Sequence, residues 1–294
     1  MNACHLDRRD RTRHGKRPSA TQHGVTLIEL VVVITLIAVM ASIGATLVSR
    51  IVAGQQDNHG RLALAQAADG AMARIANELD SSLPNSVRVT VNAGGTWIEW
   101  VPVQDVGRYR QAPDTVSGTP GDLFDPTNAA DNSFDVIGIA LATPPAGAQI
   151  AWSGLAASES DVYIGTTRRA GLVISNAGRH VSFAANGALP ADNGSARFFI
   201  VGNPITLACR TGTSGALELQ RHSGYGWRAT QPVSTSDIAG STAVVLLGQL
   251  FDCSAAYGTA LANIGLLNLR IGVGDGVSTA RMDYLQQLPV DNAP

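Results

Sequence analysis

Lysine is almost missing from this chain: Lys16 is the only one in 294 residues. That scarcity removes whole chemistries. A Walker A loop ends in Gly-Lys-Ser/Thr, and Schiff-base enzymes and Ser-x-x-Lys hydrolases need a lysine amine, so none of them fits. His-Glu-x-x-His, Gly-x-Ser-x-Gly and Cys-x-x-Cys are also absent, which leaves no metalloprotease, nucleophile-elbow or dithiol motif. Charged residues make up only 15 % and aromatics 5 %. The apolar share is 45 %, enough to bury a core and argue against wholesale disorder. With 21 Lys plus Arg against 23 Asp plus Glu, the net charge is -2. That balance does not suit a nucleic-acid surface, and no nucleic-acid partner is expected.

The balance conceals an asymmetry. Residues 1–24 carry Arg8, Arg9, Arg11, Arg13, Lys16 and Arg17 against Asp7 and Asp10, a surplus of +4, while the remaining 270 residues carry 15 Arg against 21 acids, or -6. Behind this basic leader, Val25–Val48 reads VTLIELVVVITLIAVMASIGATLV, 24 residues with one charge, Glu29, and no proline. About 20 apolar residues suffice to cross a bilayer as a helix. The positive flank places the N-terminus in the cytoplasm and the bulk of the chain beyond the membrane. A secretory signal with a cut near Val39-Met40-Ala41 is one reading, but its apolar region normally runs only 7–15 residues. A plain single-span anchor is another, and it leaves Glu29 unexplained, since a charge at the bilayer centre costs roughly 2.5–3.5 kcal/mol.

Gly24-Val25-Thr26-Leu27-Ile28-Glu29-Leu30 resembles the cleavage site of type IV prepilins and type II secretion pseudopilins. The resemblance implies a cut after Gly24 by prepilin peptidase, N-methylation of the new terminus at Val25, and retention of the apolar helix. It also implies that Glu29, fifth in the mature chain, pairs with the terminal ammonium of a neighbouring subunit. The physics agrees, because an unpaired carboxylate in a dry helical bundle is costly and a partner cation offsets it. Val25 departs from the family, where Phe or Met is usual.

Further along, Leu62, Ala65, Ala68 or Asp69, Met72, Ile75 or Ala76, and Leu79 recur at three-and-four spacing, which predicts that the helix continues to about Leu83. Gly44, Gly54, Gly60 and Gly70 interrupt it, each costing about 1 kcal/mol relative to Ala, and Pro84-Asn85 ends it. From Ser86 on, short β-like runs alternate with turns: Ser86–Val91, Thr96–Val103, Phe134–Leu141, Val162–Gly165, His180–Ala184, Ala196–Val201, Ile205–Cys209, Ala216–Gln220, Ala243–Phe251, Leu266–Val273 and Ala280–Leu285. Residues 104–133 lack periodicity and read as an exposed excursion. Gly272-Val273-Gly274-Asp275-Gly276 is a partial dinucleotide fingerprint between two strand-like runs, so a hairpin turn is expected there.

Two regions extend the resemblance toward the large minor pilins of mannose-sensitive haemagglutinin (MSHA) pili. One is Leu83-Pro84-Asn85-Ser86-Val87-Arg88-Val89 with Thr96–Val103. The other comprises Cys209, Gly224-Tyr225-Gly226, Cys253, Gly265-Leu266-Leu267-Asn268-Leu269-Arg270 and the ending Leu288-Pro289-Val290-Asp291-Asn292-Ala293-Pro294.

Cys4 would leave with the leader, so Cys209 and Cys253 remain as a pair in an oxidising compartment and are expected to form a disulfide. Asp122, Asp125, Asn128, Asp131, Asn132 and Asp135 form a weak Ca²⁺ candidate that matches no EF-hand spacing, and solvated loops are the commoner use of such residues. No other cofactor is expected. His59, His180 and His222 have no i, i+4 partner and read as surface or core histidines. Trp97, Trp100, Trp152 and Trp227 suggest a carbohydrate platform, but residues three apart on one strand face opposite sides, so Trp97 or Trp100 should be core.

The predicted fold is α+β: a long N-terminal transmembrane and spine helix followed by a β-rich, mostly antiparallel, pilin-like globular head. The expected divisions are a cleaved cytoplasmic leader (1–24), a helix (25–83, membrane-spanning over 25–48) and a periplasmic head (84–294). The expected role is non-enzymatic: a minor pilin helping to initiate or cap a filament, because a mature length of 270 residues exceeds that of most major subunits. Expected partners are prepilin peptidase, other minor and major pilins and the inner-membrane assembly platform. A minor pseudopilin of type II secretion and a glycan-binding tip adhesin are the alternatives.

Overall fold

The computed structural model describes residues 24–115, 118, 120–152, 161–189, 195–261, 264–274 and 281–292. It opens with a single long helix, α1 (Leu27–Asp80). The chain divides into two compact units, Met1–Gln55 and Gln56–Pro294.

In the first unit, the apolar side chains from Leu27 to Val52 stand exposed along α1. The few polar ones are satisfied within the helix. Thr35 Oγ1 donates to Val32 O at 2.8 Å, Ser42 Oγ to Val39 O at 2.7 Å and Thr46 Oγ1 to Ile43 O at 2.8 Å. A segment that leaves water must close its hydrogen bonds internally in this way. Among the described residues, α1 is the one helix long and apolar enough to cross a membrane.

The second unit holds the rest of α1 and fourteen strands. In chain order these are β1 (Arg88–Asn92), β2 (Gly95–Trp100), β3 (Val103–Tyr109), β4 (Ser133–Ile137) and β5 (Gln149–Ala151). A one-turn helix, α2 (Asp161–Ile164), precedes β6 (Arg168–Arg169), β7 (Val173–Ser175), β8 (His180–Ser182) and β9 (Arg197–Val201). The last five are β10 (Ile205–Thr211), β11 (Leu217–Ser223), β12 (Thr242–Leu261), β13 (Ile264–Gly274) and β14 (Arg281–Asp291). They form two seven-stranded sheets, ordered β1-β2-β10-β11-β12-β13-β14 and β6-β5-β9-β3-β4-β8-β7. All pairings between the described strands are antiparallel. One long apolar helix followed by an antiparallel β domain is the α+β architecture that the sequence predicts.

The helical rhythm has a direct packing reason. Ala68, Ala71, Met72, Ile75 and Leu79 fall on one stripe of α1 and are buried against Ile98, Leu207, Leu219, Leu267, Leu269 and Ile271 of the first sheet. Full burial of each large side chain contributes roughly 1.5–3 kcal/mol. Leu62, expected on this stripe, is 55 % exposed, and Leu64 packs against the core in its place. The second sheet has a separate core of aromatics. Tyr109, Phe124, Phe134, Trp152, Phe183 and Phe198 interlock there, with ring centroids 4.9 Å apart for Phe134–Phe198 and 5.1 Å for the edge-on Tyr109–Phe124 pair.

Two expectations fail in whole or in part. Residues 104–133 are an exposed excursion only beyond Tyr109: 104–109 belong to β3, in the middle of the second sheet. The stretch that follows, strandless among the described residues, is mostly exposed but buries Phe124 in that sheet's core. Gly107 is part of the reason, since a Cβ there would lie 2.5 Å from the Phe198 ring. The run at Val162–Gly165 is not a strand, because Asp161–Ile164 closes one helical turn that drives Val162 and Tyr163 into the core. Gly272 and Gly274 end β13, whose Gly274 pairs with Arg281 of β14. The two strands are thus hairpin partners, while Asp275 and Gly276 lie outside the described residues.

Cys209 of β10 and Cys253 of β12 form a disulfide across a Cα–Cα distance of 6.3 Å. The strands meet because β11 stops at Leu217, opposite Leu250, and β12 continues past its end. Gln249, with φ 57, bends β12 there, and Thr96 Oγ1 of β2 donates to Cys253 O at 3.3 Å. The crosslink closes a loop of 44 residues, worth about 4 kcal/mol by the chain-entropy account. Cys209→Ser with Cys253→Ser is expected to lower unfolding stability by roughly that amount. A urea midpoint unmoved from the parent's would contradict this.

Candidate functional site

The described chain starts at Gly24, the last residue of the expected leader, and residues 1–23 lie outside the described residues. Gly24, Val25 and Thr26 precede α1, and Thr26 caps it: Thr26 Oγ1 accepts from Glu29 N at 3.3 Å and Thr26 O from Leu30 N at 3.1 Å. This places Glu29 in the first turn, the one acidic residue there, where the helix dipole favours a carboxylate. Its side chain has no ion-pair partner among the described residues. A Cβ built on Gly24 would meet nothing within 4 Å, so the fold itself does not demand glycine at this position.

A second constellation, invisible in the sequence reading, is a buried polar hub. Arg88 and Glu99 are direct cross-strand partners in the β1–β2 hairpin, and Arg88 Nε donates to Glu99 Oε2 at 2.5 Å with Glu99 fully buried. The guanidinium also donates to Ala229 O at 2.8 Å and Arg228 O at 2.9 Å, and it lies 3.6 Å from the centre of the Tyr163 ring. Tyr225 OH donates to Glu99 Oε1 at 2.8 Å, leaving Thr206 Oγ1 to donate to Tyr225 at 2.7 Å. Burial pushes the Glu99 carboxyl above its ordinary range against the pull of Arg88 and Tyr225. Burial and the neighbouring Glu99 likewise raise the Tyr225 phenol. Beside the hub, Asn85 N donates to Asn292 Oδ1 at 3.0 Å and Asn292 Nδ2 donates to Tyr257 OH at 3.0 Å. The chain's last described residue is thereby tied to the exit of α1. Of these residues, Asn85, Arg88, Glu99, Tyr225 and Asn292 lie in the segments that resemble the minor pilins, Leu83–Val89, Thr96–Val103, Gly224–Gly226 and Leu288–Pro294. The hairpin turn at Ala93-Gly94 was the one signal that could have placed Arg88 opposite Glu99.

The acidic loop is stitched to itself. Asp125 Oδ1 accepts from Thr127 N at 2.9 Å and Thr127 Oγ1 at 2.7 Å, Asp131 Oδ2 from Asp125 N at 2.8 Å, and Asn128 Oδ1 from Ala130 N at 3.0 Å. Asp122 Oδ2 accepts from Ser133 Oγ at 2.7 Å, Asp135 Oδ2 from Asp122 N at 2.9 Å, and Asp135 Oδ1 lies 3.1 Å from His180 Nδ1. Asn132 Nδ2 donates to Phe183 O at 3.2 Å. Among the described residues no three His, Cys, Asp or Glu side chains converge in a way that could hold a metal ion. The calcium candidates Asp122, Asp125, Asp131 and Asp135 are therefore loop braces in this structure.

Hydrogen bonds from Thr127 hold the Asp125 carboxyl below its usual range. A depressed carboxylate contributes stability above its unfolded value, and loses it as pH falls through the folded one. The stability difference between the parent and Asp125→Asn should therefore be full above about pH 4 and vanish on further acidification. Urea midpoints measured from pH 6 down to pH 2.5 test this, and a pH-independent difference would contradict it.

Trp97, Trp100 and Trp152 are all buried, so they offer no carbohydrate platform. Trp227 is half-buried with the Arg168 guanidinium 3.8 Å from its ring centre. His222 is buried, with Ser241 Oγ 3.0 Å from Nδ1 and Gln220 Oε1 3.2 Å from Nε2, and burial together with Arg210 lowers its pKa. His59 is exposed on α1.

Residues 19–45 match the prokaryotic N-terminal methylation motif. This match, with the apolar helix behind it, supports placing the chain among type IV pilin-like and pseudopilin proteins. No curated protein and no solved structure matches the chain.

Proposed function

We propose that this chain is a filament-associated subunit, made as a membrane-anchored precursor and matured by prepilin peptidase between Gly24 and Val25. The leader 1–24 leaves, Val25 becomes the N-methylated terminus, and the head from residue 84 onward lies in the periplasm. The observation that carries the reading is the junction of motif and helix. Residues 19–45 match the methylation motif, and apolar side chains from Leu27 to Val52 stand exposed with Glu29 as the single carboxylate of the first turn. An apolar helix of that length fits a single-pass anchor, and among neighbouring helices Glu29 gains what it lacks alone, the terminal ammonium of an adjacent subunit. Gly44, Gly54, Gly60 and Gly70 have no neighbour within 4 Å of a built Cβ. Packing within the chain gives no reason for them, and they favour a helix that can bend as it enters a filament.

The particular role we infer is that of a minor pilin that helps initiate or cap the filament with other pilins and the inner-membrane platform, most like the MSHA pilus biogenesis protein MshO. Its work is assembly, not turnover of a substrate. A head of two seven-stranded sheets is bulky for every repeat of a filament and is accommodated at a tip. The minor pseudopilin of a type II secretion system is the second reading, favoured equally by the motif. Deleting the chain in its own cells and counting surface filaments tests the proposal: filaments should be lost or fall several-fold and return with the parent gene. Unchanged filament number and length would overturn it.

A further inference from the structure

Sheet ends are a liability, because an edge strand offers unpaired N–H and C=O groups to any extended chain, and folds blunt them by shortness, cover or charge. Three of the four terminal strands here are blunted. Strands β6 and β7 have two and three residues. Strand β1 is covered by the 228–233 segment: Gln231 Nε2 donates to Arg88 O at 3.1 Å, Thr90 Oγ1 to Gln231 Oε1 at 2.7 Å and Asn92 Nδ2 to Val233 O at 3.2 Å.

The fourth, β14, is eleven residues long and pairs on one side only, with β13. Arg281 and Asp283 at one end and Pro289 and Asp291 at the other blunt its termini. Its middle, Tyr284–Leu288, carries neither charge nor proline, and Leu285 is 71 % exposed. A groove of ≈ 320 Å³ runs beside this stretch, lined by Tyr284, Leu285 and Gln286 on one side and Asp69, Met72 and Ala73 of α1 on the other. An edge strand facing a helix across a groove is the geometry in which a domain adds an extended peptide as an extra strand.

We propose that β14 and the facing wall of α1 form a strand-accepting groove, occupied in the assembly by an extended, uncharged segment of a neighbouring pilin-like subunit that carries one Lys or Arg opposite Asp69. The cation follows from charge complementarity: Asp69 is the groove's one charged lining residue and has no ion pair among the described residues. Main-chain bonds to β14 supply the affinity and the Asp69 contact fixes the register. Only the identity of the donor as a filament subunit rests on the function proposed above.

The test uses the full-length chain in its own membranes. A Leu285→Cys variant is labelled with a cysteine-reactive benzophenone, which on irradiation inserts into any neighbouring C–H bond, and the donor peptide is read by mass spectrometry. The expected adduct joins residue 285 to a segment of another pilin-like protein that carries one Lys or Arg and is otherwise uncharged. Asp69→Lys should cut that adduct at least fivefold, whereas Arg108→Gln, at an exposed position on β3 of the other sheet, serves as a control that leaves it in place. Asp69 is exposed, and Asp69→Asn gives a neutral check that the loss tracks charge. No adduct, or one indifferent to Asp69→Lys, overturns the groove. The N-terminal mass is read from the same sample. An adduct on a chain not cut after Gly24 would sink the filament-subunit reading and leave the groove standing, and a correctly cut chain without adduct would do the reverse.

Discussion

Glu99→Ala is expected to lower the unfolding stability by roughly 3–5 kcal/mol, the range found when one partner of a buried ion pair is removed. The size follows from what stays behind. Arg88 would keep its bonds to Ala229 O and Arg228 O but hold a buried, uncompensated charge. Tyr225 OH would lose its acceptor in a site that is also closed to water. An apolar replacement of both partners, Arg88→Met with Glu99→Leu, removes the charge and the unmet partner together, so it should recover much of the loss. Urea unfolding of the parent, the single and the double variant decides this. A single variant within 1 kcal/mol of the parent, roughly the noise of a surface change, would contradict the hub's role.

Gly24→Leu is expected to abolish maturation, leaving the chain at its full precursor mass in membranes. The substitution is informative because the fold is indifferent to it. No atom lies within 4 Å of a Cβ built at Gly24, and its backbone is not in the left-handed region. A stable, membrane-bound but uncut protein would therefore report on recognition by the peptidase and not on folding. Glu29→Leu separates the next step. It should be cut normally, since Glu29 makes no ion pair within the described chain, and yet fail to enter filaments. Equal recovery of parent and Glu29→Leu chains from sheared filaments would remove the assembly role of the carboxylate.

The parts of the fold that were legible are those where burial imposes a period. Ala68, Met72, Ile75 and Leu79 recur at helical spacing because one stripe of α1 meets the sheet. Strands β10 and β13 read clearly because Leu207 and Cys209, or Leu267, Leu269 and Ile271, alternate into that core. Strand β3 was illegible for the converse reason. Its exposure alternates, but Gln104, Asp105, Gly107 and Arg108 interrupt any apolar signal, and its stability derives from β9 and the Phe198 ring. Val162-Tyr163-Ile164 has the β-branched and aromatic content of a strand, and a single helical turn is too short for any periodicity to reveal. The Arg88–Glu99 pair depends on hairpin register, which local composition does not encode. The motif at the helix start could be read directly because it is contiguous.

Processing at Gly24 is the claim on which the rest of the functional account stands. Its most direct test is the intact N-terminal mass of the protein from membranes of cells with and without prepilin peptidase. The account predicts a chain beginning at N-methylated Val25 when the enzyme is present and an uncut chain when it is absent. A start near Ser42 in both strains would mean a secretory signal, and an intact Met1 in both would mean a plain anchor; either result contradicts the filament-subunit assignment.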